Sequence, residues 1–177
     1  MNTPPVAPDL VKADAYNQIY AQLSGLMAGE SDFLANSSNT VALLFHSLPH
    51  INWAGFYFVR DQDLVLGPFQ GKPACTRIKV GQGVCGAAAR QRETVIVPDV
   101  QQFSGYIQCD AATQSEIVIP LLNWGRLLGV LDLDSPVPNR FDEDDREGLE
   151  SLMSLFLSSL ATDDLPDFEA LARSVGV

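Results

Sequence analysis

Basic residues are scarce in this chain. Eleven Lys and Arg stand against 22 Asp and Glu, and the formal charge is −11. That deficit excludes a general grip on nucleic acid or on an anionic membrane surface, both of which need cations facing phosphates. A cationic or zwitterionic small ligand remains open. Long apolar runs are missing too: none reaches the ~18 residues needed to span a bilayer. The opening "MNTPPVAPDLVKADAY" has no basic segment followed by an apolar one, so the expected compartment is a reducing cytoplasm. Cysteine is rare, and the three present, Cys75, Cys85 and Cys109, include no C-x-x-C pair. His46 and His50 lie far upstream, near a helix end. These spacings offer no zinc motif, so no metal is expected. Any disulfide in such a compartment is expected to be transient and catalytic. Repeats and low-complexity tracts are also absent.

What remains is a soluble-type composition, 46% hydrophobic and 19% charged over 177 residues, enough for one domain with a real core. Residues 1–13 are Pro-rich and expected to be loose. Tyr16, Ile19, Tyr20, Leu23, Leu26 and Met27 recur at helical spacing, which predicts a helix over about 14–28, ended by Gly29. A second helix should start after Ser31, carry Phe33, Leu34, Val41, Leu44, Phe45 and Leu48, and stop at Pro49. Strand signals follow. "INWAGFYFVR" and "LVLGPFQG" form a hairpin about "DQD", and "ACTRIKV" is a third candidate.

"GQGVCGAAARQRE" reads as a short small-residue helix packed close to the sheet, and "TVIVPD" as a short strand. Residues 99–114 lack a clear period and read as a long loop, of the kind that is often functional in a compact domain. "SEIVIPLL", the turn "NWGR" and "LLGVLDLDS" make a final hairpin. Phe141 and Asp142 look like a staple and an N-cap before a helix bearing Leu149, Leu152, Met153, Phe156 and Leu160. The tail from about 163 to 177 is read as a short docking helix or a free end. The order of elements predicts an α+β fold, an antiparallel sheet with helices on one face.

Three groups of residues stand out chemically. Side chains alternate across a strand, so Trp53 and Tyr57 share a face with Gly55 between them. That arrangement would leave a slot for something flat or apolar, although ordinary core packing is the plainer reading. Asp132 and Asp134 also share a face, ~6–7 Å apart from the strand rise, and Glu116 on the partner strand can lie near them. Three convergent carboxylates repel, so they call for a metal, an ammonium group or a retained proton, unless they merely form a solvated face. Cys85, among small neighbours, reads as a buried packing residue. Cys75 sits beside Thr76 and Arg77. Cys109, in the long loop beside Asp110, is the best candidate for a reactive thiol. Its acidic neighbours are expected to hold it as the thiol.

Together, "NWAGFYFV", "GQGVCGAAARQRETVIVPDV", "CDAATQSEIVIPL" and "GVLDLDSP" resemble the free methionine-R-sulfoxide reductases, stand-alone GAF-domain enzymes. The resemblance runs from about residue 14 to 162. It implies a GAF/PAS-like sheet with a pocket closed by loops, and reduction of the R-sulfoxide of free methionine. By motif, it implies Cys109 as catalytic cysteine, Cys75 as resolving cysteine, and Cys85 as a third cysteine that serves as a secondary partner. It implies Glu116, Asp132 and Asp134 as substrate-site carboxylates, and Trp53 and Tyr57 as an aromatic wall for the methyl group. It further implies no bound cofactor, thioredoxin as external reductant, and a homodimer for which the Tyr16–Met27 helix offers a candidate surface. One departure is Tyr106-Ile107-Gln108 before Cys109, where the family often has His and Ala. The alternative is a sensory GAF module that binds a small ligand without turnover. "NRFDEDD" partly matches a motif of cyclic-nucleotide GAF domains, but reads more simply as a helix cap. The acidity disfavours a phosphate ligand, and no signalling partner domain follows.

Overall fold

The first helix forms because its apolar residues repeat at helical spacing. In the computed structural model, which describes residues 11–160, α1 spans Lys12–Met27. It begins two residues before the expected start and turns at Gly29, which has φ +78°. The segment 1–10 and the tail 163–177, where a docking helix was one reading, lie outside the described residues. The second helix, α2 (Phe33–Ser47), is capped by Asp32, whose side chain accepts the Ala35 N–H at 2.7 Å.

The strands are β1 (Trp53–Arg60), β2 (Asp63–Gly71), β3 (Arg77–Lys79), β4 (Val95–Val97), β5 (Ser115–Asn123) and β6 (Arg126–Ser135). They form one fully antiparallel sheet in the order β3-β2-β1-β6-β5-β4. Asp61, at φ 57°, turns β1 into β2. The third strand is shorter than the sequence suggests. Cys75 lies before it, in a connection that crosses the sheet end. Between β3 and β4 runs α3 (Gly83–Gln91), and α4 (Glu143–Ser159) closes the described chain. Among the described residues no helix is long and apolar enough to cross a membrane.

The alternation of β1, β5 and β6 divides the core in two. Ala54, Phe56, Phe58, Ile117, Ile119, Leu131 and Leu133 face α1, α2 and α4, and meet Ile19, Leu23, Leu44, Leu149 and Phe156. The opposite face carries Trp53, Tyr57, Val118 and Val130, and is covered by α3 and the loops. Three helices thus share one face, as the α+β reading expects. The small-residue helix α3 lies on the other, where the pocket is. Its closeness depends on Gly86: a Cβ there would come within 2.5 Å of the Lys79 carbonyl oxygen. The apolar stripe of α1, with Tyr16, Ile19, Leu23 and Met27 buried, is used inside the chain. A second copy would meet only its outer face, where Tyr20 is exposed.

A buried polar knot joins α1 to α4. Asp142 caps α4 in a reciprocal capping box with Asp145. Phe141 enters the main core instead of stapling, because the position it would meet is Arg146. Asp145 is fully buried. It accepts from Tyr16 Oη at 2.8 Å and from Arg140 Nη1 at 3.0 Å, and pairs with Lys12. Removing one member of a buried ion-paired group strands the others, at about 3–5 kcal/mol, whereas losing a cap alone costs about 1 kcal/mol. Asp145→Ala should therefore lower the urea midpoint far more than Asp142→Ala. Equal losses would mean that the knot contributes only its cap.

Candidate functional site

The second sheet face ends in a pocket, and register decides what lines it. Glu116 lies directly opposite Asp134 across the β5–β6 ladder, and Val118 opposite Asp132. On the other side of β6, Asp132 faces Gly55 and Asp134 faces Trp53. Because residues two apart share a face, the three carboxylates converge beneath α3 and the loop 99–114. Seven of the eight residues singled out in the sequence line this pocket: Trp53, Tyr57, Cys85, Cys109, Glu116, Asp132 and Asp134. The eighth, Cys75, is joined to Cys109 by a disulfide with a Cα–Cα distance of 5.8 Å.

The solvated-face reading of the acids does not survive the geometry. Glu116 and Asp132 are 5% and 6% exposed. Among the lining residues the one cation is Lys72, and it pairs with Asp110 at 3.1 Å. Burial raises all three carboxyls. Glu116 is pushed well up by burial and by the charges of Asp132 and Asp134. Asp134 is likewise raised by burial, Asp132 and Asp110. Asp132 is raised by burial to about 7, although hydrogen bonds from Cys85 and Glu116 favour its ionised form. Its Oδ1 is buried without a hydrogen-bond partner. A buried acceptor in that condition is costly unless a donor or cation reaches it.

Cys85 is both a packing residue and part of this cluster. It is 4% exposed, and its thiol donates to Asp132 Oδ2 at 3.3 Å, with Glu116 Oε1 at 4.0 Å. Burial and then the charges of Asp132 and Glu116 push its pKa well up, so it stays a thiol.

Of the two readings of the aromatics, a slot or ordinary core packing, the rings adopt the packing. The Trp53 indole itself lies over Gly55, where a Cβ would sit 2.3 Å from Trp53 Cη2 and 2.6 Å from Phe69 Cβ. Trp53 stacks on Phe69 with centroids 5.6 Å apart and lies 5.8 Å from the Tyr57 ring. Their polar tips hold the connection before β3. Trp53 Nε1 donates to the Lys72 carbonyl at 3.1 Å, and Tyr57 Oη to the Cys75 carbonyl at 3.0 Å. Burial raises the Tyr57 phenol, which keeps it a donor.

Asp110, the acid next to Cys109, is occupied structurally. It accepts from the Ala112 N–H at 3.0 Å, from Lys72 Nζ at 3.2 Å and from Asn52 Nδ2 at 3.4 Å. The Ala112 hydrogen bond and then Lys72 lower its pKa. Its charge is thereby paired with Lys72 and fixes the loop that carries Cys109. The sequence reading missed Lys72, Asn52 and Thr113, because such loop-to-loop partners leave no periodic signal. Tyr106 and Ile107, which precede Cys109, cover the pocket from above. With the disulfide closed, the cavity is about 30 Å³, the room of a single water.

The comparisons agree with this architecture. The GAF domain family matches residues 39–160. A free methionine-R-sulfoxide reductase of Escherichia coli is 49% identical over 159 residues, which cover 90% of this chain and 96% of that protein. The Saccharomyces cerevisiae enzyme of the same name is 43% identical over 85% of this chain and 88% of its own length. The structure of free methionine-R-sulfoxide reductase from Neisseria meningitidis in complex with its substrate superposes with a TM-score of 0.84. It is 38% identical and covers 98% of this chain and 99% of its own. At these identities, each over nearly the full length of both chains, the chain belongs to the free methionine-R-sulfoxide reductase family.

Proposed function

We propose that this reductase acts on free methionine-R-sulfoxide through Cys109 and recovers through Cys75. The observation that carries the reading is a cysteine pair at the mouth of a pocket with three convergent carboxyl groups, Glu116 and Asp132 buried and Asp134 half-buried, whose one lining cation, Lys72, is paired with Asp110 instead. A free amino acid brings the missing charge. Its α-ammonium group would take the orphaned Oδ1 of Asp132. Glu116 and Asp134, whose pKa values burial and neighbouring charge push well up, would protonate the sulfoxide oxygen and make the sulfur more electrophilic. The Cys109 sulfur then attacks the sulfoxide sulfur. The oxygen passes to Cys109, methionine leaves as the thioether, and Cys109 carries S–OH. The Cys75 thiol displaces that hydroxyl as water, and the Cys75–Cys109 bond forms. An external dithiol of the thioredoxin class reduces it again.

The tight cavity supports this order of events. Pockets that enclose small ligands run to roughly 300 Å³ and more, so the disulfide form, with about 30 Å³, has no room for substrate or product. Methionine leaves before the bond closes. Reduction would free the loops bearing Cys75 and Cys109 and reopen the site. Trp53 and Tyr57 would set the position of Cys75 as well as wall the methyl group.

In single-turnover assays Cys109→Ser should release no methionine. Cys75→Ser should release about one equivalent per chain and then stall until a small thiol is added, because attack precedes resolution. The same loss in both variants would invert or discard the two roles.

Substrate choice should follow the ammonium group. N-acetylation removes it and leaves Asp132 uncompensated, a penalty of about 3 kcal/mol or roughly a hundredfold in kcat/KM. Asp132→Asn should slow the free amino acid and narrow that gap. Comparable kcat/KM values for the free and acetylated sulfoxides would remove the carboxylates from substrate selection.

The same acids should make stability depend on pH. The Asp132 carboxyl is raised from 3.8 to about 7 by burial, so the folded state binds its proton more tightly than the unfolded state. Stability is therefore fully present below about pH 4 and is lost as pH rises through 7. The denaturation midpoint of the empty enzyme should fall across that window, and Asp132→Asn should flatten the fall. An unchanged slope in the variant would mean that Asp132 is not the titrating group.

A further inference from the structure

We infer that Cys85, Asp132 and Glu116 form a binding site for a thiophilic divalent metal ion of the zinc class, which holds the substrate pocket shut to the sulfoxide. The three residues each present one donor atom, and these atoms lie within 4.8 Å of one another, all on buried side chains. Cys85 Sγ stands 3.3 Å from Asp132 Oδ2 and 4.0 Å from Glu116 Oε1. Tetrahedral zinc with one sulfur and two oxygens needs edges of roughly 3.4–3.6 Å, from its usual bond lengths. The two sulfur-to-oxygen separations straddle that range, so side-chain rotation about the same backbone positions can bring the three donors onto one ion. A second observation points the same way. Asp132 is 6% exposed, and its other oxygen is buried without a partner.

The chemistry of the set selects the ion. A thiolate beside carboxylates favours zinc, cobalt or cadmium over magnesium and calcium, which prefer oxygen alone. The donors come from α3, β5 and β6 and so are held by rigid elements. No local sequence spacing joins them: Cys85 is 31 residues from Glu116 and 47 from Asp132. The cavity of about 30 Å³ is too small for an amino acid. It fits an ion that keeps one water as its fourth ligand. Bound metal and a substrate ammonium group would contend for the same oxygens. That competition rests on the reading of Asp132 given above, whereas metal binding itself does not.

Cobalt(II) tests the site without turnover. In the disulfide form Cys85 is the lone thiol, so a thiolate-to-cobalt band in the near ultraviolet reports it alone. Titration of the disulfide form, and of a reduced Cys75→Ser, Cys109→Ser chain whose pocket is free to open, should give that band at about one cobalt per chain. Zinc should bleach it and magnesium should not. Cys85→Ser should lose the band. Glu116→Gln should weaken binding by roughly tenfold or more, the loss that even an outer partner costs a metal site. In the double variant, which cannot react, free methionine-R-sulfoxide should displace the cobalt. No band in either preparation, or an equal band in Cys85→Ser, overturns the site. A band that saturating sulfoxide leaves unchanged overturns the exclusion. A chain that binds cobalt through Cys85 yet fails to reduce the sulfoxide would instead sink the substrate reading and leave the metal site standing.

Discussion

Three carboxyl groups gathered on one face of a sheet, two of them fully buried, beside a single lining cation that is already paired with Asp110, are the constraint on which the rest of this structure turns. Charges taken out of water must be paired, coordinated or neutralised by a proton. Here burial and mutual repulsion push Glu116 and Asp134 well above the usual carboxyl range, and burial raises Asp132 to about 7. The fold carries this cost in the empty state. A ligand that brings positive charge repays it on binding, so the destabilising feature doubles as the proposed source of specificity.

The scaffold makes such a cluster tenable. One face of β1, β5 and β6 supplies the large apolar core under α1, α2 and α4, which secures the domain independently of the pocket. The Asp145 knot ties the first and last of these helices together. The second face is then free to be polar at one end. Its cover is thin: one short helix of small residues and two loops. Trp53 and Tyr57 hold those loops through one hydrogen bond each, Asp110 through its bonds to Ala112, Lys72 and Asn52, and Cys75 and Cys109 through their disulfide; with that bond reduced, such a cover opens more cheaply than a packed core.

Much of the fold was legible because its signals are local. Apolar residues at helical spacing placed α1, α2 and α4, and alternation placed β1, β5 and β6. Local chemistry also named Asp142 as a cap and put Asp132 and Asp134 on one face. The third strand was over-read, because "ACTRIKV" has strand composition while only Arg77–Lys79 finds a partner in β2. The choice between a slot and core packing at Gly55 was not legible for a different reason. Alternation gives the face of a side chain but not its rotamer, and the Trp53 ring folds back over the glycine.

By itself the sequence determined the classes of element, the sidedness of each strand, and the short motifs that carry the family resemblance, since these depend on periods and turns within a few residues. The tertiary structure decided what depends on distance. Register set Glu116 against Asp134, and the return of α3 over the sheet brought Cys85 to Asp132. Two loops 34 residues apart met at Cys75 and Cys109. Burial, lastly, is a property of the whole packed chain. Only that packing turned three acids that could have sat in water into a dry cluster in need of a cation.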